Sequence, residues 1–586
     1  MPHHFVSTCS VRRALLTGVG MVACLVFAIS PQARESLVPP APLEITDSPA
    51  GNYLSALSAG AQHDTAAAAA FFREALRYDP RNAELTERAF VAALANGNFD
   101  DAGVLAEQLA KRDPRNGLAH LVLGIRALKQ KKYQQARTYF ANGGGGRQRD
   151  VTATLLTAWS YVGAGDVKRA VETIDQLKDD RFGLFRDYHA ALILDLAGKR
   201  ADAVRRIERV YEQEKSTIRI VDAYARIMAR SERKDDALAA YEAFEKLLPR
   251  HPVMRAGAEA VKSGKPVAPF VANAEHGAAE VLYGLGSLGG RQSDDLASMI
   301  YLRLALALDH QHGLALATLA DVYERMKQNE QAIRAYEAVP PHSPLYENAE
   351  VQIGLLLDAA GRTEDAQKHL AALVTQRPKD MEAVLALANL QRSRKQFAEA
   401  AETYSRALGL SSGGRSDWST YYARGISYER AKQWPKAEAD FKKALELFPD
   451  QPLVLNYLGY SWVDQGLNVA EAFKMLRRAV ELRPTDGYII DSLGWAYYRL
   501  GQYPEAVREL EKAIELKSSD PVMNDHLGDA YWRVGRKIEA KFQWNHARDL
   551  NPEPEDLEKI LVKIEKGLAD EPTPNAASNG AAKDGG

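Results

Sequence analysis

Small residues recur along this chain at a nearly constant interval, and that interval limits the folds open to it. Alanine is found at 68, 102, 136, 170, 203 and 237, and again at 297, 332, 366, 400, 437, 472, 506 and 540. A second small residue usually comes twelve positions before, as Gly494 precedes Ala506, and proline often follows by twelve positions. A helix–turn–helix unit fills a period of about 34 residues, and proline ends a helix because it cannot continue one. The sequence therefore predicts fourteen helical hairpins.

Composition is consistent with a folded protein and argues against one class of partner. The chain has 75 Lys and Arg against 77 Asp and Glu, a net charge of -2, and 46% hydrophobic residues. A nucleic-acid binder needs a clustered basic surface, so we expect no nucleic-acid partner. The apolar fraction also excludes disorder of the whole chain.

The repeated unit resembles the tetratricopeptide repeat (TPR). Leu493-Gly494, Tyr497, Ala506 and Ala513, with Pro484 before them, match the signature positions of that family, and so do Leu527-Gly528, Tyr531, Ala540, Ala547 and Pro552. The resemblance implies an all-α TPR solenoid, a right-handed superhelix of helical hairpins with about fourteen repeats in two arrays.

The series of regularly spaced alanines, called the ladder below, also indicates domain boundaries. The gap between Ala237 and Ala297 separates an N-terminal array of about six repeats, 50–250, from a C-terminal array of about eight, 276–552, through a connector at 251–275. Gly286 to Ser293 reads as irregular. Residues 553–568 should form a helix that caps the last repeat. Small and polar residues in 569–586 indicate a disordered tail.

The N-terminal segment has the pattern of an export signal. Arg12 and Arg13 precede an apolar run from Ala14 to Ile29, and small residues follow. We interpret 1–33 as a signal peptide cleaved after Ala28 or Ala33, with an uncleaved anchor as the alternative. Both cysteines lie here, so the predicted mature chain has no disulfide or thiolate metal site. The surroundings of Cys24 match a lipoprotein signal poorly, so we do not expect a lipid anchor there.

No motif for catalysis, a cofactor or a metal stands out. Gly264-Lys265 is followed by proline and lacks a preceding glycine-rich loop, so it does not match a phosphate-binding loop. His310 and His312 are two positions apart, cannot share a helix face, and read as a solvated turn. We therefore expect no enzyme, no cofactor and no metal, and an enzyme with an unrecognised site is the alternative from another class.

A stack of helical hairpins presents a concave face to partners. In TPR proteins the first helix of each repeat lines that groove, at one, four and five positions after its small residue and three and six before it. Aromatic residues and arginine on this face are typical of binding hot spots, and six of the seven tryptophans follow residue 417. The predicted protein-binding residues are Tyr422, Arg430, Asn456, Tyr460, Asp464, Tyr488, Asp491, Trp495, Tyr498, Arg499, Asp529, Trp532 and Arg533.

The C-terminal half has a narrower resemblance. The runs Leu455–Tyr460, Ile490–Gly501 and His526–Asp529 resemble bacterial envelope TPR proteins, some of which are adaptors for carboxyl-terminal processing proteases. The resemblance implies an exported scaffold in the periplasm or cell envelope, with a protease of that type and its substrates as partners. A scaffold for outer-membrane assembly or for polysaccharide secretion is the alternative. Any membrane association is expected only through the N-terminal segment.

Overall fold

The computed structural model describes residues 44–143, 150–291, 294–411 and 413–569. The predicted signal peptide lies outside these residues, and so does the predicted disordered tail apart from Ala569. The described residues form thirty α-helices and two short 3-10 helices, with no strand among them. The predicted all-α solenoid is therefore confirmed.

The helices belong to two compact units, and the boundary along the chain lies between Pro378 and Lys379. The first unit contains α1 (Pro49–Ala61), α2 (Thr65–Tyr78), α3 (Ala83–Asn96), α4 (Phe99–Arg112), α5 (Gly117–Lys129), α6 (Tyr133–Gly143), α7 (Val151–Gly163), α8 (Val167–Ile174), α9 (Gly183–Leu196), α10 (Arg200–Gln213), α11 (Ile218–Arg230), α12 (Lys234–Leu247), α13 (Pro252–Lys262), α14 (Ala274–Arg291), α15 (Asp295–Leu308), α16 (Gly313–Arg325), α17 (Asn329–Glu337), α18 (Tyr346–Ala359) and α19 (Thr363–Gln376).

The second unit contains α20 (Met381–Ser393), α21 (Phe397–Leu410), α22 (Trp418–Arg430), α23 (Trp434–Leu447), α24 (Pro452–Asp464), α25 (Val469–Leu482), α26 (Gly487–Arg499), α27 (Tyr503–Leu516), α28 (Pro521–Arg533), α29 (Lys537–Asp549) and α30 (Pro554–Lys566). Consecutive helices pair as hairpins, apart from α13 and α30. The predicted connector lies inside the first unit, where α13 packs on α11 and α12.

The regularly spaced small residues are buried where paired helices approach each other. Ala506 and most of the other ladder alanines are fully buried, whereas Ala297 keeps part of its surface exposed. A Cβ atom on Gly494 would lie 2.7 Å from Leu510 of the paired helix, so this position needs glycine. Gly501 has a φ of 73° in the turn between the same two helices, a conformation that glycine adopts without strain.

Side-chain caps start several of the helices. Asn82 accepts a hydrogen bond from the backbone N–H of Leu85, and Asp380 does the same for Ala383. Such caps satisfy backbone donors that have no partner within the first turn. The prediction of an irregular stretch at 286–293 is wrong for residues 286–291, which form the last turns of α14. Residues 292 and 293 lie outside the described residues.

Candidate protein-binding groove

Most of the predicted site residues on α24 and α26 form one surface of the second unit. At its centre the Trp495 indole stacks on the Tyr498 ring, with centroids 4.7 Å apart, and on the His526 ring, at 4.0 Å. The Nδ1–H group of His526 donates to the carboxylate of Asp491 at 3.1 Å. Asp491 is buried, whereas Trp495 keeps part of its surface exposed. The stack is therefore held rigidly with an edge open to solvent, as an anchor for a ligand requires.

Charged and aromatic groups surround this stack. Arg499 donates to the carboxylate of Asp464 at 2.7 Å and to its backbone carbonyl at 3.0 Å, and both side chains are exposed. Tyr460 is half-buried, and burial raises its pKa to about 12. Tyr488 is 40% exposed at the other end of α26. This arrangement offers a partner hydrogen-bond donors, acceptors and flat apolar surface.

The predicted residues near α22 differ in role. Tyr422 packs between repeats, with its ring 5.9 Å from that of Tyr457 and 6.1 Å from that of Phe441, and burial raises its pKa to about 12. Arg430 is exposed and lies over the Phe397 ring at 5.4 Å. Asn456 is half-buried, and its Oδ1 atom has no hydrogen-bond partner among the described residues. Tyr422 therefore chiefly supports the helices, whereas Arg430 and Asn456 keep groups for a ligand.

Helix α30 and the residues directly after it contact the three predicted residues on α28. Lys563 donates to Asp529 at 2.8 Å, and Asp529 also accepts from the Trp544 indole at 2.9 Å. Any side chain at Gly567 would overlap the Trp532 ring. Arg533 donates to the backbone carbonyl of Ala569 at 3.1 Å. Burial and the nearby Asp525 raise the pKa of Asp529 to about 6.

In the first unit the corresponding groove is filled by residues 267–291, and the sequence analysis missed this. Trp159 occupies the repeat position of Trp495 but is fully buried, because Gly277 of α14 lies directly against its indole. One turn later Glu280 accepts from the Tyr188 hydroxyl at 2.9 Å and from Arg219 Nε at 3.0 Å. Tyr188 and Arg219 are groove positions of the next two repeats.

The extended chain before α14 lies along the same face. Arg230 donates to the carbonyl of Val267 at 3.0 Å, and the Phe270 ring lies 3.9 Å from the Arg219 guanidinium. Two features of the sequence point to this arrangement. The ladder is interrupted just there, and Trp159 is the one tryptophan before residue 417.

His312 corrects another expectation. The turn that contains His312 is not solvated at this residue, because its side chain is buried and caps α16 through Nδ1, which accepts from the Ala315 N–H at 3.1 Å. His312 Nε2 lies 3.5 Å from Glu280 Oε2. Burial alone would raise the pKa of Glu280, but Arg219 and His312 hold it far below its ordinary value. The histidine therefore belongs to the ionic cluster that fixes α14.

No group of three or more His, Cys, Asp or Glu side chains in the described ranges is arranged to hold a metal ion. None of the helices in the same ranges combines the length and apolar character that crossing a bilayer requires.

Four segments match tetratricopeptide-repeat family models. Three of these models are described as tetratricopeptide repeat, at residues 60–124, 351–415 and 418–451, and a fourth as TPR repeat, at 494–535. The segments come from both units and include the Trp495 stack.

Individual proteins give a more distant likeness. The chain is 26% identical over 196 residues to the TPR repeat-containing protein PA4667 of Pseudomonas aeruginosa, and the alignment spans 32% of this chain and 31% of that relative. Among solved structures, a tetratricopeptide repeat protein from Parabacteroides merdae is 17% identical with a TM-score of 0.36, covering 43% of this chain and 97% of that one. Yeast Tom70 is 16% identical with a TM-score of 0.34, covering 77% and 95%.

The repeat register, the buried small residues, the paired helices and the four family matches agree. The four matched segments of this chain are similar to the tetratricopeptide repeat.

Proposed function

We propose that the chain is an exported, non-catalytic scaffold of the bacterial cell envelope and that the groove of its second unit binds a protein segment. Tetratricopeptide repeats mediate contacts between proteins. The binding site is placed in the second unit because the chain's own segments leave part of that groove uncovered. The chain's own segments cover the Trp159 position and α28, whereas Arg430, Tyr488 and Arg499 remain exposed.

The covered parts of the two grooves also favour one class of ligand. Both hold a helix, α14 or α30, whose charged side chain pairs with groove residues. In each groove a glycine also lies against a tryptophan, Gly277 within α14 and Gly567 directly after α30. Helix-in-groove recognition uses anchors at helical spacing. We therefore infer that the ligand is an amphipathic helix with a small residue facing the Trp495 stack.

The more specific proposal is an adaptor for a carboxyl-terminal processing protease. It is supported by the resemblance of 455–460, 490–501 and 526–529 to envelope adaptors. The apolar run from Ala14 to Ile29 supports export.

Site-specific photocrosslinking in cells tests the binding groove. A benzophenone amino acid placed at Tyr488, which is 40% exposed, should give a discrete protein adduct. The matched position is Tyr78 of α2, which is 47% exposed and should give none. Trp495→Ala should remove the adduct at 488 while helical circular dichroism stays unchanged. Equal adducts at both positions, or an adduct that survives Trp495→Ala, would reject the groove as the binding site.

The identity of the adduct tests the adaptor proposal separately. Mass spectrometry should find a carboxyl-terminal processing protease or one of its substrates at Tyr488. A Trp495-dependent adduct with an unrelated envelope protein would keep the scaffold and reject the adaptor. An alkaline phosphatase fusion after residue 49 should be active if the chain is exported, and an inactive fusion would reject the envelope location.

A further inference from the structure

Helix α29 exposes two large apolar side chains on its outer face. Ile538 is 85% exposed and Phe542 is 68% exposed, the highest values among the large hydrophobic side chains of the described residues. They are four positions apart, so they lie on the same face of the helix. Ala540, Trp544 and Ala547 on the other face are fully buried and supply the packing of the repeat. The exposed pair is therefore not needed to hold α29 in place.

The pair also departs from the repeat pattern. Ile538 and Phe542 lie two positions before and two after the ladder residue Ala540. The equivalent pairs in the other repeats of the second unit are Ala398 and Glu402, Pro435 and Ala439, Ala470 and Lys474, and Pro504 and Arg508. These positions are otherwise small, proline or charged, as expected for a surface that faces water. The last repeat has thus gained an apolar surface that its neighbours lack.

The charge around the pair is positive. Lys537 and Lys541 flank it and are exposed, and the Lys537 ammonium lies 3.6 Å from the centre of the Trp532 ring. Glu539 is the acidic residue of the same turn, and Arg536 neutralises it at 3.1 Å. A protruding apolar pair beside lysines has the chemistry of a helix that lies in a membrane interface. Lysines next to such a pair gain from anionic headgroups.

We propose that this face of α29 docks on an anionic lipid surface. Ile538 and Phe542 enter the boundary between headgroups and acyl chains, and the ammonium groups of Lys537 and Lys541 approach the phosphates. Lipids adapt around protruding side chains, whereas a protein would need a preformed pocket for them. Two apolar side chains and two lysines give weak, reversible binding, because even one acyl chain gives only marginal anchoring.

A fluorescent probe on α29 tests the proposal in the full chain. Cys9 and Cys24 are replaced by serine, Asn545→Cys is added one turn after Phe542, and bimane is attached there. Emission should shift to shorter wavelength with vesicles of phosphatidylcholine and phosphatidylglycerol, and much less with phosphatidylcholine alone. The probe reports the surroundings of α29 itself, so a membrane contact made by the N-terminal apolar run does not imitate the result.

Two variants provide the controls. Ile538→Ser with Phe542→Ser should weaken the vesicle-dependent shift at least about tenfold, because the apolar contribution is lost. A probe at Arg508→Cys, the counterpart of Phe542 in the preceding repeat, should stay in water. The proposal is overturned if the 545 probe does not respond to anionic vesicles, or if the double variant responds equally. A probe shift that follows protein concentration without vesicles would also overturn it, because a second copy would then cover the face.

Discussion

Each unit contains a tryptophan–histidine pair at the same repeat positions, and the two pairs have opposite surroundings. In the first unit Trp159 Nε1 donates to His189 Nδ1 at 3.3 Å, so the histidine accepts and must be neutral at that nitrogen. In the second unit His526 Nδ1 donates to Asp491 and stacks on Trp495. Leu155 occupies the repeat position of Asp491. The Nδ1 atom therefore accepts a hydrogen bond in the first pair and donates one in the second, where Asp491 supplies the carboxylate.

The two pairs also differ in exposure to solvent. Trp159 is buried beneath α14, whereas Trp495 keeps part of its surface exposed. The difference means that Trp159 is part of the core of the first unit, whereas Trp495 is partly exposed on the second.

The largest effect is expected at the ionic cluster under α14. Glu280→Gln removes the carboxylate that neutralises Arg219 and leaves a guanidinium in a mostly buried site. Breaking one partner of a buried ion pair costs about 3–5 kcal/mol. Urea denaturation should show that loss, and hydrogen exchange should locate it in α14.

Two variants sharpen that result. Glu280→Met combined with Arg219→Met should recover most of the stability, because neither charge remains buried alone. Glu259→Gln removes the exposed partner of Lys262 in the same unit and should cost almost nothing. A loss after Glu280→Gln no greater than after Glu259→Gln would show that α14 is not fixed by this cluster.

The next effect is on pH dependence. Burial lowers the pKa of His189 to about 4, with Glu280 acting weakly against it. Its folded pKa is below the unfolded value, so its contribution to stability is complete above about 6.5 and is lost as the pH falls toward 4. The loss between pH 7 and pH 5 should be on the order of 2 kcal/mol. His189→Gln should remove it.

His526 should behave in the opposite way. Burial would lower its pKa, but Asp491, Asp525 and Asp529 raise it above the ordinary value. Its stabilising contribution is therefore present below about 6.5 and is lost as the pH rises through the raised pKa. NMR titration of the two imidazoles measures both directions. Equal titration midpoints would contradict the contrast between the surroundings of the two histidines.

The sequence predicted the repeats well because their signal is local. Ala506, Gly494 and Pro484 act within one hairpin or between neighbours, and their spacing is visible in the chain. The groove positions also followed from that register, which placed Trp495 and Arg499 together. The packing of α14 and α30 against the grooves could not be predicted from the repeat spacing. Gly277 contacts Trp159, and Lys563 contacts Asp529, because later segments of the chain fold back onto the grooves. The sequence around a helical glycine or lysine does not indicate which distant residue it will contact.

The smallest effect on stability is expected at the open rim. Arg499→Ala removes the exposed pair with Asp464, and exposed pairs contribute about 0–1 kcal/mol. Arg478→Ala is the matched control. Arg478 lies on α25, the second helix of its hairpin, and the substitution removes a similarly exposed ion pair with Asp450. Both variants should unfold almost as the original chain does, but only Arg499→Ala should reduce crosslinking from Tyr488. A large loss of stability at Arg499 would mean that this rim supports the fold as α14 does. Equal crosslinking in both variants would remove Arg499 from the binding surface, because only a ligand contact separates two ion pairs of similar exposure.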